Sequence, residues 1–125
     1  MKFLSYHFIF SGKSDYKDLA PVFPDILNVV LAENDHFQLE EEIETREMFI
    51  ESNMYDLERN RKPEGYNRKG MYRLVFPLGS KEFYIKTTFG KMPDLVKLCE
   101  RISGMLTTKK FKFTTAEDHE MDCCR

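Results

Sequence analysis

Residues 71–90 read MYRLVFPLGSKEFYIKTTFG, and their alternation of apolar and polar side chains predicts a β-hairpin. Gly79-Ser80 is placed at the turn, because Gly-X is a favoured two-residue connection. The opposed pairs are then Phe76 with Phe83, Leu74 with Ile85, and Tyr72 with Thr87. The other face carries Met71, Arg73, Val75, Tyr84, Lys86 and Thr88. A slip of one residue would mix the two faces, so the pattern specifies this register.

Apolar periodicity predicts a strand and a helix on each side of the hairpin. Before the hairpin, residues 2–11 alternate as an interior strand does, and residues 15–34 carry a helical stripe. Behind it, residues 92–106 carry a second helical stripe, and residues 110–115 alternate as a final strand. The chain is therefore predicted to run strand, one or two helices, strand, strand, helix, strand.

The segment of residues 37–60 fits two interpretations. A helical stripe and many glutamates favour a helix, and the stripe consists of Leu39, Ile43, Ile50, Met54 and Leu57. The run Met48–Ile50 and the alternation that precedes it leave a pair of strands as the alternative. We predict the helix. The following residues 60–70, NRKPEGYNRKG, are typical of a basic polar loop.

This element order predicts an α+β domain with a ferredoxin-like, split βαβ fold. We expect a four-stranded, antiparallel-rich sheet with the helices packed on one face. The strand that contains Leu74 should lie at an edge, where the missing N–H of Pro77 is tolerated. Residues 1–115 are predicted to form the single α+β domain, and residues 116–125 a frayed acidic tail.

The composition limits the class of protein. The 125 residues are 42% hydrophobic and include eleven Phe, which is enough to bury a core. No apolar run has the length of a membrane span, and the opening MKFLSYHFIFSG predicts a strand rather than a signal peptide. Cys123 and Cys124 are adjacent, a poor geometry for a disulfide, so we expect reduced thiols and a cytoplasmic location. The oligomeric state does not follow from the sequence.

The charge is strongly segregated along the chain. Residues 33–58 hold ten acidic side chains and one Arg, a net charge of −9, whereas residues 59–73 hold six basic and one acidic, a net charge of +5. A dense carboxylate surface attracts basic partners and speeds their capture. The first hypothesis is therefore an inhibitory protein of immunity or antitoxin type that binds a basic protein partner such as a nuclease toxin. Its predicted partner-binding residues are Glu40, Glu41, Glu44, Glu47 and Glu51.

The second hypothesis is a single-stranded RNA-binding module. If helices cover one face of the sheet, the opposite face presents aromatic and basic side chains together, as RNA-binding sheets do. The predicted RNA-binding residues are His7, Arg73, Tyr84 and Lys86. A small RNase is the third hypothesis. The isoelectric point near 5.9 argues against both nucleic-acid interpretations.

No motif in the sequence predicts catalysis, a metal site or a cofactor. The chain contains no H-E-x-x-H, C-x-x-C, G-x-S-x-G or phosphate-binding loop. His119, Cys123 and Cys124 lie close in sequence, but in a frayed tail they would bind a metal only adventitiously. We therefore predict a protein without metal or cofactor, and rank a binding role above an enzymatic one.

Overall fold

A computed structural model describes residues 2–33, 40–67, 71–87 and 90–122. The protein is an α+β structure with an open antiparallel sheet of five strands, in the order β2-β3-β4-β1-β5. The elements follow one another as β1 (Lys2–Phe10), α1 (Tyr16–Leu19), α2 (Phe23–Glu33), α3 (Glu40–Glu58), β2 (Gly65–Tyr66), β3 (Arg73–Val75), β4 (Glu82–Thr87), α4 (Met92–Thr108) and β5 (Phe113–Asp122).

The predicted hairpin and its register are confirmed, but β3 ends at Val75 and β4 begins at Glu82, so the connection between the strands is longer than the predicted two-residue turn. Leu74 lies opposite Ile85 across β3 and β4, and the ring centroids of Phe76 and Phe83 are 5.5 Å apart. Phe8 of β1 lies opposite Phe83 and stacks on it at 4.8 Å. Burial of a large apolar side chain stabilises the fold by about 1.5–3 kcal/mol. These residues are therefore the part of the core that the sheet supplies.

The described helices pack on this same side of the sheet. α4 contacts β1 and β4, α2 contacts β3 and α4, and α3 contacts α1, α2 and β2. One continuous core joins them, in which Phe23, Leu57 and Ile102 are fully buried. In the described ranges, no helix is both long and apolar enough to cross a membrane.

The segment that allowed two interpretations is helical. α3 covers residues 40–58, so the strand-pair alternative is wrong there, and residues 37–39 lie outside the described part. Its inner side consists of Phe49, Asn53 and Leu57, which follow one another at intervals of four residues and are buried. Phe49 packs edge-on against Tyr66 of β2, with ring centroids 4.8 Å apart. α3 is thereby fixed to the edge of the sheet.

The sheet has five strands rather than the predicted four, and the strand that contains Leu74 is not at the edge. β2 pairs with it from within the predicted polar loop. Asn53 of α3 holds β2 in place: its amide nitrogen donates to the Gly65 carbonyl oxygen at 3.1 Å, and its Oδ1 accepts from the Gly65 N–H at 2.6 Å. Gly65 has φ +81°, and a Cβ there would lie 2.5 Å from the Leu74 carbonyl oxygen. Only glycine fits this position.

The proline and the final strand also differ in placement from the prediction. Pro77 lies beyond the end of β3 at Val75, so its missing N–H removes no bond from the sheet. β5 begins at Phe113, because Lys110 takes a left-handed conformation with φ 61°. It then pairs with β1 as far as Asp122, so most of the expected tail belongs to the sheet. Backbone hydrogen bonding to β1 does not require apolar side chains, and the polar composition of residues 116–122 therefore concealed the strand.

Candidate functional site

The outer side of α3 presents three of the five predicted acidic residues to solvent. Glu44, Glu47 and Glu51 are exposed, and none of them forms an ion pair with any residue in the described ranges. Glu40 and Glu41 belong to the first turn of α3, but their side chains are outside the described part. Like charges three and four residues apart each destabilise a helix by about 0.2–0.5 kcal/mol. This clustering of like charges therefore lowers the stability of α3, and folding alone does not explain it.

Two exposed apolar side chains share this side of the helix. Met48 is 56% exposed and Tyr55 is 53% exposed. With a turn of about 100° per residue, Glu44, Glu47, Met48, Glu51 and Tyr55 lie within an arc of about 100°. We call these five residues the acidic face of α3. Aromatic residues and Met are enriched in protein interfaces, so the composition of this face suits a protein partner.

The acidic face is bordered by a groove and by a basic cluster. The groove, of about 440 Å³, lies between α3 and the β2 segment and is lined by Met48, Phe49, Ser52, Glu64 and Asn67. At the other end, the guanidinium carbon of Arg59 lies 3.6 Å from the Tyr55 ring centroid, and that of Arg61 lies 5.4 Å from it. These cations limit the negative surface to the N-terminal part of the helix.

The predicted RNA-binding residues lie together on the sheet face that points away from the helices. His7 is opposite Tyr84 across β1 and β4, and Arg73 is opposite Lys86 across β3 and β4. We call this surface, with Val75 and Glu82, the outer sheet face. The His7 and Tyr84 ring centroids are 4.8 Å apart. The register of the sheet therefore places all four predicted residues on one surface.

The aromatic side chains of the outer sheet face are largely enclosed. Tyr84 is only 4% exposed, and it packs against Val75 and His7. Stacking of a nucleic-acid base requires the free face of an aromatic ring. Arg73 and Lys86 are half-buried, and Arg73 Nη1 donates to Asn67 Oδ1 at 3.3 Å. This surface therefore offers cations more readily than stacking platforms.

A hydrogen-bonded chain of Ser5, His7 and Glu82 on this face was not predicted. Ser5 Oγ lies 2.9 Å from His7 Nε2, and His7 Nδ1 lies 2.8 Å from Glu82 Oε1. The order of groups resembles a catalytic Ser-His-acid triad. Ser5, however, is completely buried, so its hydroxyl cannot meet a substrate in this structure. Alternation on β1 puts Ser5 and His7 on one face, but only the pairing of β1 with β4 reveals Glu82.

The remaining reactive groups do not form a site. Burial holds the pKa of the Cys99 thiol far above its usual range, so this thiol is protonated and unreactive. No group of His, Cys, Asp and Glu residues in the described part could hold a metal ion. The side chain of His119 and residues 123–125, which include Cys123 and Cys124, lie outside that part.

Comparison of the chain with models of known protein families, with curated proteins and with solved structures finds no significant match. The functional proposals therefore rest on the residues described above. Two surfaces carry them: the acidic face of α3 and the outer sheet face.

Proposed function

We propose that the protein is a small inhibitory or binding protein whose acidic face of α3 docks on a basic protein partner. The observation that carries this proposal is the row of exposed, uncompensated carboxylates of Glu44, Glu47 and Glu51 beside the exposed side chains of Met48 and Tyr55. The carboxylates supply attraction at a distance, and the apolar side chains supply contact area that loses water on binding.

The two kinds of side chain have separate roles in this proposal. Charges at the rim of an interface mainly raise the association rate and add little to affinity. Affinity comes instead from a few well-packed residues, among which aromatic side chains are frequent. Tyr55 and Met48 are the candidates, and the groove beside Met48 gives the partner a concave surface to fill. A helix anchored by Phe49 and Leu57 keeps this surface rigid.

A basic nuclease toxin is the partner class that we favour. Such an enzyme binds phosphates with Lys and Arg side chains, and a row of carboxylates can occupy the same cations. The protein would then act as an immunity protein or antitoxin. This step is an analogy based on charge, because unrelated folds carry out the same inhibition.

We also infer a ferredoxin-like arrangement and a cytoplasmic location. Four strands in the order β3-β4-β1-β5, all antiparallel, with helices in both crossovers, support the first inference, with β2 as an added edge strand. The Cys99 thiol supports the second, because it is buried and unpaired as expected in a reducing compartment.

RNA binding by the outer sheet face is the second candidate. It is favoured by the adjacency of His7, Arg73, Tyr84 and Lys86, and weakened by the enclosure of Tyr84 and by the Glu82 carboxylate. Joint replacement of Arg73, Tyr84 and Lys86 should abolish binding to single-stranded RNA at low salt. Absence of RNA binding by the wild-type protein would eliminate this candidate, and with it the small RNase.

Capture from native lysate tests the first proposal. The double variant E47K/E51K should lose the basic partner that the wild-type protein retains. The matched control is D25K/E100K, which makes the same change of charge at two exposed carboxylates of α2 and α4 that form no ion pair with a described residue. Equal capture by wild type, control and E47K/E51K would contradict a docking role for the acidic face of α3.

A further inference from the structure

A groove of about 520 Å³ lies on the outer sheet face beside the hairpin turn. Its apolar lining residues are Val75, Pro77 and Leu78, and the remaining lining residues are His7, Ser80, Glu82 and Tyr84. Leu78 is 88% exposed, which is unusual for a leucine that lines a concave surface. The groove thus combines an uncovered apolar wall with one carboxylate, the composition of a small-ligand site.

The Glu82 carboxylate has acceptor capacity to spare. Its side chain is 19% exposed, and its Oε1 is 2.8 Å from His7 Nδ1. No other residue in the described ranges forms a hydrogen bond or an ion pair with it. A carboxylate has about four acceptor positions, and a partly buried one is stabilised when cationic donors fill them. The free Oε2 is therefore the strongest attachment point in the groove.

His7 fixes the direction of this carboxylate. When Nδ1 donates its proton to Glu82 Oε1, the neutral imidazole accepts from the Ser5 hydroxyl at Nε2, and both bonds are satisfied. The completely buried Ser5 cannot turn toward solvent. The chain therefore fixes the orientation of the Glu82 carboxylate, and His7 is a positioning residue for the groove.

The charges around the groove select the sign of the ligand. Lys81 precedes Glu82, but its Nζ lies 2.9 Å from Asp15 and compensates that carboxylate instead. Lys86 is four residues further along β4, a distance of about 13 Å in an extended strand. Among the described residues that line the groove, Glu82 is the only Asp, Glu, Lys or Arg, so an anion would be repelled there.

We propose that this groove binds a primary alkylammonium ion with a short unbranched chain. The ammonium group donates to Glu82 Oε2, and the alkyl chain covers Val75, Pro77 and Leu78. Both a free aliphatic amine and the side chain of a lysine have this chemistry. The site lies on a different surface from the acidic face of α3, so the proposal is independent of the protein partner proposed above.

Titration of the labelled protein with n-pentylammonium, followed by backbone amide NMR shifts, tests the proposal. We expect saturable shifts confined to β1, the hairpin turn and β4, with a dissociation constant on the order of 1–10 mM for so small a ligand. Pentan-1-ol and pentanoate, which have the same chain without the positive charge, should bind at least about tenfold more weakly. Nα-acetyl-lysine methylamide distinguishes the two sources of the alkylammonium group. If it binds as tightly as pentylammonium or more tightly, the natural ligand is a peptide lysine; if it binds more weakly, the natural ligand is a free amine.

Three variants locate the site. E82Q keeps an acceptor for His7 Nδ1 but removes the charge, so binding of pentylammonium should weaken at least about tenfold. L78A should weaken pentylammonium by about threefold and leave methylammonium unchanged, because only the longer chain reaches the apolar wall. E100Q removes one exposed carboxylate from α4 and should bind as the wild type does.

Several results would overturn the proposal. One is the absence of saturable shifts at 50 mM amine, roughly five times the weakest expected dissociation constant. Another is equal binding of pentylammonium and pentan-1-ol by the wild-type protein, which does not depend on how any variant folds. Equal affinity of folded E82Q and wild type, or equal weakening by E100Q and E82Q, would show that the amine does not bind at Glu82.

Discussion

The acidic face of α3 and the outer sheet face both carry charged side chains, but they hold them differently. Glu47 and Glu51 are exposed and form no ion pair with a described residue, whereas Glu82 is mostly buried and bound to His7. Free charges act at a distance of about 8 Å at physiological salt. A charge that is held in place and partly dehydrated interacts mainly with a group that contacts it directly. The first surface is therefore suited to steering a large partner, and the second to holding a small group.

The same difference predicts how the molecule responds to substitution. Exposed charges on a helix tolerate replacement, and their effect appears in binding kinetics. Residues on the core side of the sheet determine whether the chain folds, and their effect appears in the free energy of unfolding.

Substitutions on the two sides of β3 should differ most in their effect on the free energy of unfolding. Leu74→Asp places a carboxylate among fully buried apolar residues and should lower the free energy of unfolding by about 3–5 kcal/mol, enough to unfold many small domains. Val75→Asp, on the outer sheet face, should cost no more than about 1 kcal/mol, because this position is half-exposed. Urea denaturation measures both. Similar losses for the two variants would mean that the outer sheet face is covered in solution.

Replacement of Asn53 should cause the next largest loss in the free energy of unfolding, because its buried amide joins α3 to β2. Asn53→Ala leaves the Gly65 N–H and carbonyl without their partner and should cost about 2 kcal/mol. The exposed neighbour Ser52→Ala is the matched control and should cost less than about 0.5 kcal/mol. Amide hydrogen exchange of Gly65 should accelerate in the first variant only. Slow exchange in both would show that the sheet holds β2 without the helix.

The Asp15 carboxylate should make a smaller contribution to the free energy of unfolding, and this contribution depends on pH. The hydrogen bond from the Lys81 ammonium holds the pKa of the Asp15 carboxyl below its usual range, and burial opposes this shift. Because the folded-state pKa is the lower one, the ionised carboxylate stabilises the protein above about pH 4, and this contribution is lost as the pH falls through the folded-state pKa.

The variant D15N retains an N-cap for α1 but cannot pair with Lys81. Below about pH 4 its stability should fall less steeply than that of the wild type, with a difference of no more than about 1 kcal/mol for so accessible a pair. D25N changes an exposed carboxylate in the first turn of α2 and is the control. Identical pH profiles for wild type and D15N between pH 2 and 5 would refute this role of the ion pair.

The sequence was sufficient for the parts of the fold that depend on apolar periodicity. The alternation around Leu74 and Ile85 predicted the hairpin and its register, and the stripe along α4 predicted that helix. β2 could not be predicted in this way, because two residues have no periodicity and their position depends on the side chain of Asn53. The extension of β5 was missed because backbone pairing, rather than burial, holds its polar residues.

The candidate surfaces were predictable to different degrees. Glu44, Glu47 and Glu51 follow from charge density and helical spacing, and their exposure agrees with the prediction. The contact between His7 and Glu82 spans 75 residues and arises only when β1 lies beside β4. The enclosure of Tyr84 depends on both neighbouring strands, and strand periodicity alone cannot distinguish an exposed ring from a covered one.

Charge reversal on the acidic face of α3 should have the smallest effect on folding. E44K/E47K/E51K changes three exposed side chains, and each should move the free energy of unfolding by about 0.5 kcal/mol or less. Circular dichroism and urea denaturation measure this change. A loss of several kcal/mol would mean that these carboxylates are part of the structure rather than of a free surface.

Stopped-flow measurement of the association rate of this folded triple variant with the captured basic partner, over a range of salt, is the decisive test of steering by the acidic face of α3. We expect the variant to associate at least about tenfold more slowly than the wild type at low salt, and the two rates to converge as salt screens the wild-type attraction. Equal rates at low salt, in a variant that remains folded, would contradict the claim that the acidic face of α3 steers a partner.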